Sequence, residues 1–138
     1  MGGSMVSDDL IREFASWGYQ IKPSQINRFN EYLWIMLRRG RVAMVENEEG
    51  LQAVIFYFLT DDLAPFENKP TWATPEDSDT GHIFFVDKML CRKWTKSVRE
   101  QIREQIEAKY PQVEEGHWLR RPYNRHVILK RGGLLHGI

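Results

Sequence analysis

Cysteine is almost absent from this chain of 138 residues, which contains only Cys91. One cysteine excludes an internal disulfide framework and a zinc site built from four thiolates. Long apolar runs are also missing. None approaches the ~18 residues that a membrane-spanning helix needs, and the chain does not begin with a basic stretch followed by an apolar one. These absences predict a cytoplasmic protein.

Histidine is scarce as well, and its spacing is not that of a metal motif. The four histidines are His82, His117, His126 and His136. We therefore expect no metal. Cys91 is followed by Arg92 and Lys93, which would favour a reactive thiolate. A lone cysteine is more commonly an inert buried residue, and we favour that interpretation.

The composition is that of one globular domain. The chain is 42% hydrophobic and 28% charged, and a chain of this length buries roughly two-thirds of its unfolded surface, enough for its own core. Residues 1–4 resemble the remnant of an expression tag. Residues 5–131 form the predicted domain, and the glycine-containing tail 132–138 is a candidate for disorder.

The charges balance overall but are unevenly distributed. Residues 42–87 contain ten acidic side chains and one basic one, whereas residues 88–131 contain twelve basic and five acidic ones. A basic half attracts anionic partners, such as a phosphate-bearing cofactor or nucleic acid. An equally compatible alternative is that the acidic and basic segments neutralise each other within the fold.

Two amphipathic helices are predicted at the start of the chain. Apolar residues recur at helical spacing within 10–17, with Ser7 as a candidate N-cap and Gly18 as a stop. A second periodic run, 26–37, ends in two arginines and Gly40, as helix C-termini commonly do. The aromatic residues of both helices are predicted to pack in the core.

The period then changes to that of strands. Residues 41–46 and 51–59 are rich in β-branched and aromatic side chains, and 47–50 has turn composition, so an antiparallel hairpin is predicted. Its second strand is apolar on both faces and should be covered on both sides. Residues 60–80 contain three of the six prolines. We interpret them as a functional or mobile loop, in which Phe66 and Trp72 either close over a ligand or, more commonly, pin the loop to the body.

The second half of the sequence predicts another strand, a helix and two further strands: 82–91, 97–110, 117–120 and 126–130. A polar interruption at Asp87 and Lys88 indicates a bulge in the first of these strands. Ser97 and Glu100 have the spacing of a capping box for the helix. The whole pattern predicts a single α/β (α+β) domain, with a mixed, mostly antiparallel sheet flanked by helices.

The junction between the strand at Cys91 and the following helix is the strongest candidate for chemistry. A helix start presents free N–H groups and the positive end of its dipole, which together favour an anion. Arg92, Lys93 and Lys96 add positive charge there. The combination indicates a phosphate site, and the alternative is that these basic residues are simply solvated, as basic residues near helix starts commonly are.

The element order, the hairpin with its Asn-Glu-Glu-Gly turn, and the strand running into a basic helix start resemble the GCN5-related N-acetyltransferase superfamily. Its members carry the motif Arg/Gln-x-x-Gly-x-Gly/Ala, whose amides hold the pyrophosphate of acetyl-CoA. The matching stretch here is Arg92-Lys93-Trp94-Thr95-Lys96-Ser97, with Thr95 and Ser97 at the positions of the small residues. The resemblance covers residues 41–130 in element order. The chain looks like a divergent or shortened member of the superfamily.

The resemblance implies an acyl-CoA N-acyltransferase-like fold and acetyl transfer from acetyl-CoA to a primary amine. Acetyl-CoA would lie where the strand ending at Cys91 diverges from the strand ending near Arg120. The thioester carbonyl would be bonded by an amide near Met89 or Leu90. The implied cofactor-binding residues are Met89, Leu90, Cys91, Arg92, Lys93, Trp94, Thr95, Lys96 and Ser97.

The resemblance also implies two catalytic residues. Tyr123 stands where the family often has the acid that protonates the departing thiolate. Asp87 is the first candidate for the proton acceptor, ahead of Glu46. A structural role for Asp87, as the partner of Lys88 or of a helix arginine, is equally compatible with the sequence.

The rival hypothesis is a non-catalytic binding or structural protein that retains this scaffold without the cofactor, with nucleic acid as one candidate ligand. Aromatic and basic residues alternate in the basic half, and such a mixture can stack on and neutralise single-stranded nucleic acid: Trp94, Trp118, Arg120, Arg121, Tyr123 and Arg125. The interpretation we favour is a strand pair with apolar residues inward and arginines outward. No membrane partner is expected.

Overall fold

The structure is a computed structural model that describes residues 2–120 and 125–130, with side chains from residue 7 to residue 117. Its elements are α1 (Gly2–Ser16), a 3-10 turn (Pro23–Gln25), α2 (Ile26–Arg39), β1 (Val42–Asn47), β2 (Gly50–Thr60), α3 (Ala64–Glu67), β3 (Ile83–Cys91), α4 (Lys96–Lys109), β4 (Glu115–Arg120) and β5 (Arg125–Lys130). The predicted order of helices and strands is confirmed. The structure adds α3 within the stretch predicted as a loop.

The strands form one sheet in the order β1-β2-β3-β4-β5. Three neighbouring pairs are antiparallel, and β3 and β4 are parallel. A parallel pair needs a crossover connection, and α4 supplies it. The molecule is therefore a single α+β domain with a mixed, mostly antiparallel sheet, as the sequence pattern predicts.

Alternation along β2 divides the core between the two faces of the sheet, because successive strand residues point to opposite sides. Ile55, Tyr57 and Leu59 pack with α4. Val54, Phe56 and Phe58 pack with α1 and α2. Residues 52–60 of β2 are all buried, so the strand is covered on both faces, as predicted. These faces are called the α4 face and the α2 face below.

Both predicted N-caps are wrong. Ser7 lies inside α1, which begins earlier than predicted, and its hydroxyl contacts the side chain of Asn30 in α2. Helix α4 begins at Lys96, so the cap falls on Thr95, whose Oγ1 accepts a hydrogen bond from the Val98 amide at 3.2 Å. Since the cap precedes the first helical residue, a start one residue earlier than Ser97 moves the capping role to Thr95.

The predicted bulge in β3 is confirmed. Phe56 of β2 lies opposite Lys88 while the next residue, Tyr57, lies opposite Val86, so Asp87 is the extra residue. A bulge interrupts the alternation of faces. As a result the side chains of Asp87 and Lys88, although consecutive, both reach Tyr32 of α2.

The buried Arg41 is neutralised by two aspartates of the acidic segment 42–87. The Arg41 side chain is 3% exposed, and its Nε and Nη2 lie 2.6 Å from Asp77 and 2.7 Å from Asp79. Asp77 Oδ2 also accepts the amide of Leu59 at 3.0 Å. These two acidic side chains therefore stabilise the fold, although their partner Arg41 precedes both the acidic and the basic segment.

The exposed hydrogen bond between His82 and Asp61 predicts that the stability of the domain depends on pH. His82 Nδ1 lies 2.9 Å from Asp61 Oδ1, and this hydrogen bond raises the pKa of His82. The stabilisation is fully present below the ordinary histidine pKa of about 6.5 and is lost as the pH rises through the raised value. Thermal unfolding of the wild-type chain and of His82→Gln should therefore differ more at about pH 6 than at about pH 8. An equal difference at both pH values would contradict this expectation.

Candidate functional site

The parallel pairing of β3 and β4 stops midway along β3. It joins Ile83–Val86 to Glu115–Trp118, whereas β3 runs on to Cys91 and β4 to Arg120. Burial changes at the same point, since Phe84, Phe85 and Val86 are buried and 87–91 are partly exposed. Within the described residues this second half of β3 pairs only with β2. We call the side of residues 87–91 that faces away from β2 the gap, because no strand of the described residues pairs with it.

The bulge places a buried charge cluster at the start of this gap, on the α2 face. Lys69 Nζ lies 3.0 Å from Asp87 Oδ1, with side-chain exposures of only 5% and 8%. Lys88 Nζ lies 3.4 Å from Asp87 Oδ2, which also accepts the hydroxyl hydrogen bond of Tyr32. Burial and this contact with Asp87 raise the pKa of Tyr32 well above its ordinary value. Asp87 thus has the partner Lys88, which the sequence analysis considered. It also has a second cation, Lys69, which the sequence analysis did not predict.

The segment after α3 is fastened to the body of the domain by this cluster. Lys69 Nζ and Lys88 Nζ donate to the Thr71 carbonyl at 3.1 and 2.7 Å. The Trp72 ring packs against Phe29 and Tyr32, and its Nε1 donates to a Gln25 side chain at 2.7 Å.

The buried Phe66 ring packs against Phe58 and Phe85 in the same way. Both aromatic residues singled out from the sequence therefore pin the loop.

At the other end of the gap, the chain leaves β3 through a short basic connection. The Arg92 amide donates to the Gln52 carbonyl at 2.8 Å, and its side chain is 48% exposed, with Nη1 3.9 Å from Glu49. Lys93 and Lys96 are exposed. Three exposed cations thus lie at the start of α4, where helix amides and the dipole favour an anion.

The apolar residues of the predicted cofactor site divide between the two faces of β3. Met89, Cys91 and Trp94 pack against the α4-face cluster, and Leu90 packs against the α2-face cluster. Burial raises the pKa of the Cys91 thiol. A raised pKa leaves less thiolate at neutral pH, which agrees with an inert cysteine.

Of the two predicted catalytic residues, only Asp87 belongs to the described part of the chain. Asp87 lies at the gap, but Tyr123 lies outside the described residues. Glu46, the second choice for a proton acceptor, is exposed at the far end of β1. The side chains of the aromatic and basic stretch from Trp118 onward also lie outside the described range.

The sequence did not lead us to predict one pair of residues beside the gap, Glu115 and His117. His117 Nε2 lies 3.0 Å from Glu115 Oε2, and the His117 side chain is 6% exposed. The available signal was the two-residue spacing, because residues i and i+2 of a strand share a face. A search for metal motifs passes over it, since only two ligands are present.

A second concave surface lies away from the gap. A groove of about 420 Å³ at the end of α2 is lined by Arg38, Arg39, Arg41, Glu76, Asp77 and Asp79, whose charges balance. Among the residues described here, no three His, Cys, Asp or Glu side chains are grouped as metal ligands would be. Over the same residues, no helix has the length and apolar character to cross a membrane.

Comparison of the chain with protein-family models, with curated proteins and with solved structures found no match.

The buried pair at the bulge predicts a large loss of stability on substitution. Lys69→Met would leave the Asp87 carboxylate buried without its nearest cation, at a cost of about 3 kcal/mol, the low end for such pairs because Lys88 remains. Lys22→Met, at an exposed lysine, should change stability by less than about 0.5 kcal/mol. Urea unfolding of both variants measures the difference, and equal stabilities would show that the buried pair contributes nothing.

Proposed function

We propose that this chain is an acyl-CoA-dependent N-acyltransferase, which transfers an acetyl group from acetyl-CoA to a primary amine. The observation that carries the proposal is the half of β3 that loses its parallel neighbour and leads directly into a basic helix start. An extended ligand can pair with such an edge as an added strand would. The pantetheine arm of acetyl-CoA carries two amides and has the required shape.

The edge also offers a place for the reacting carbonyl. Backbone N–H groups near Met89 and Leu90 can bond the thioester oxygen, and the bond strengthens as negative charge develops on that oxygen during attack. Residues 87–91 are partly exposed, so a ligand can reach them. Binding here would stabilise the transition state more than the ground state.

The diphosphate would lie at the junction between β3 and α4. Arg92, Lys93 and Lys96 are exposed cations there, and the first amides of α4 point out of the helix. The Val98 amide is already bonded by Thr95, so the amides of Lys96 and Ser97 are the ones left for phosphate oxygens. Side chains at Thr95 and Ser97 hold a ligand farther from the backbone than glycine does.

The reaction needs two proton transfers. The amine nitrogen attacks the thioester carbon, the carbon–sulfur bond breaks, and the amine loses a proton while the CoA thiolate gains one. We propose Tyr123 as the donor to the thiolate. Asp87 is the acceptor indicated by the sequence, although in the structure it is engaged by Lys69, Lys88 and Tyr32.

The first test is binding. Saturating acetyl-CoA or CoA should raise the melting temperature by mass action, by several degrees at 100-fold excess over Kd. A chain whose melting temperature is unmoved by either ligand but rises with a single-stranded oligonucleotide, in a salt-dependent manner, would favour the nucleic-acid-binding alternative.

The second test localises the phosphate site. Arg92→Ala should weaken CoA binding about tenfold, because one charge-assisted contact to phosphate is lost. Arg28→Ala, which removes an exposed arginine on α2, should leave the affinity unchanged in calorimetric titrations. Equal effects of the two substitutions would argue against a phosphate site at this junction.

A further inference from the structure

The Glu115–His117 pair has the geometry of an oriented base. An ionised carboxylate only accepts hydrogen bonds, so Glu115 Oε2, 3.0 Å from His117 Nε2, holds the imidazole hydrogen on Nε2. The lone pair of the neutral ring then lies on Nδ1. In the described part of the chain, Nδ1 has no hydrogen-bond partner.

The pair lies beside the gap, on the same face as Asp87. His117 is directly opposite Phe85, which belongs to the α2-face cluster, and the pairing of the two strands ends one residue later at Val86 and Trp118. Asp87 follows Phe85 by two residues along β3, directly after the last residue that pairs with β4. An amine that entered the gap from the α2 face would approach both residues.

Asp87 is less accessible to such an amine than its position alone suggests. Oδ1 contacts Lys69, and Oδ2 contacts both Tyr32 and Lys88. A substrate amine would have to displace one of these donors to reach an oxygen. Nδ1 of His117 requires no such displacement.

We propose that His117 accepts the proton that the amine releases, and that Glu115 is its positioning residue; the inference rests on the proposed acyl transfer. As the carbon–nitrogen bond forms and the carbon–sulfur bond breaks, the ammonium proton moves to Nδ1, directly or through one water. Glu115 stabilises the imidazolium through Nε2–H. After the product leaves, the imidazolium loses its Nδ1 proton to a water molecule, which restores the neutral ring with its hydrogen on Nε2, beside Glu115, and its lone pair on Nδ1.

The experiment measures CoA release from acetyl-CoA in the presence of benzylamine, spermidine and a lysine-containing peptide, after acetyl-CoA binding has been confirmed by calorimetry. His117→Gln should lower kcat about 100-fold or more, the usual contribution of a positioned base, with the affinity for acetyl-CoA unchanged. It should also abolish the rise of kcat/KM with pH that a neutral imidazole produces in the wild-type chain. Glu115→Gln should lower kcat about tenfold, because the ring loses its charged partner.

His82→Gln is the matched control, since His82 also pairs with a carboxylate, at 2.9 Å, but on the surface. It should change kcat less than twofold. If His117→Gln behaves as this control does, the role of His117 is overturned while acyl transfer stands. Should His117→Gln fail to fold, Glu115→Gln decides through kcat and the pH profile, and wild-type values would overturn the role. Failure of the wild-type chain to bind acetyl-CoA or release CoA overturns acyl transfer itself, and this inference with it.

Discussion

The loss of pairing between β3 and β4 after Val86 is the constraint on which the candidate site depends. A parallel pair that continued to Cys91 would bury residues 87–91 and satisfy their backbone groups. The bulge at Asp87 comes directly after the last pair, and bulges bend a strand and increase its local twist. The divergence and the bulge are therefore two aspects of one change in β3, and together they produce an edge in the interior of a sheet.

That edge is stabilised by a charge arrangement that a regular strand would not permit. Two consecutive charged residues on one face would be unfavourable in a core. Here Lys69, from the loop between β2 and β3, pairs with the carboxylate of Asp87 and offsets this cost. The aromatic rings of Tyr32 and Trp72 lie 4.9 and 4.7 Å from Lys88 Nζ and add cation–π attraction. The loop between β2 and β3 is thus part of the support of the site.

The two faces of β3 divide the proposed chemistry. The basic junction and the apolar group of Met89, Cys91 and Trp94 belong to the side of α4, where a phosphate-bearing ligand is proposed. The carboxylate of Asp87 and the Glu115–His117 pair belong to the side of α2, from which an amine would approach. A gap in the sheet is what allows groups on opposite faces to act on one bond, because a continuous sheet would separate them.

The sequence by itself determined the local elements. Helical spacing in 26–37, the alternating and apolar strands of the hairpin, and the polar interruption at Asp87 were sufficient to predict the element order, the mixed sheet and the bulge. Those signals are local, since periodicity and turn chemistry depend on neighbours in the chain. Even so, the caps were misplaced, because a helix start is decided by which of several nearby hydroxyl groups first meets a free amide.

Only the tertiary structure decided which distant groups meet. Lys69 and Asp87 are separated by a loop that contains prolines and no periodic signal, and their pairing depends on how that loop folds back onto α2. The position that makes His117 a candidate base likewise depends on the strand register, which sets it opposite Phe85, one residue before the pairing of β3 and β4 ends. Contacts of this kind follow from packing and charge neutralisation across the whole domain. Local sequence patterns do not predict them, because the partners are brought together by the fold of the segments between them.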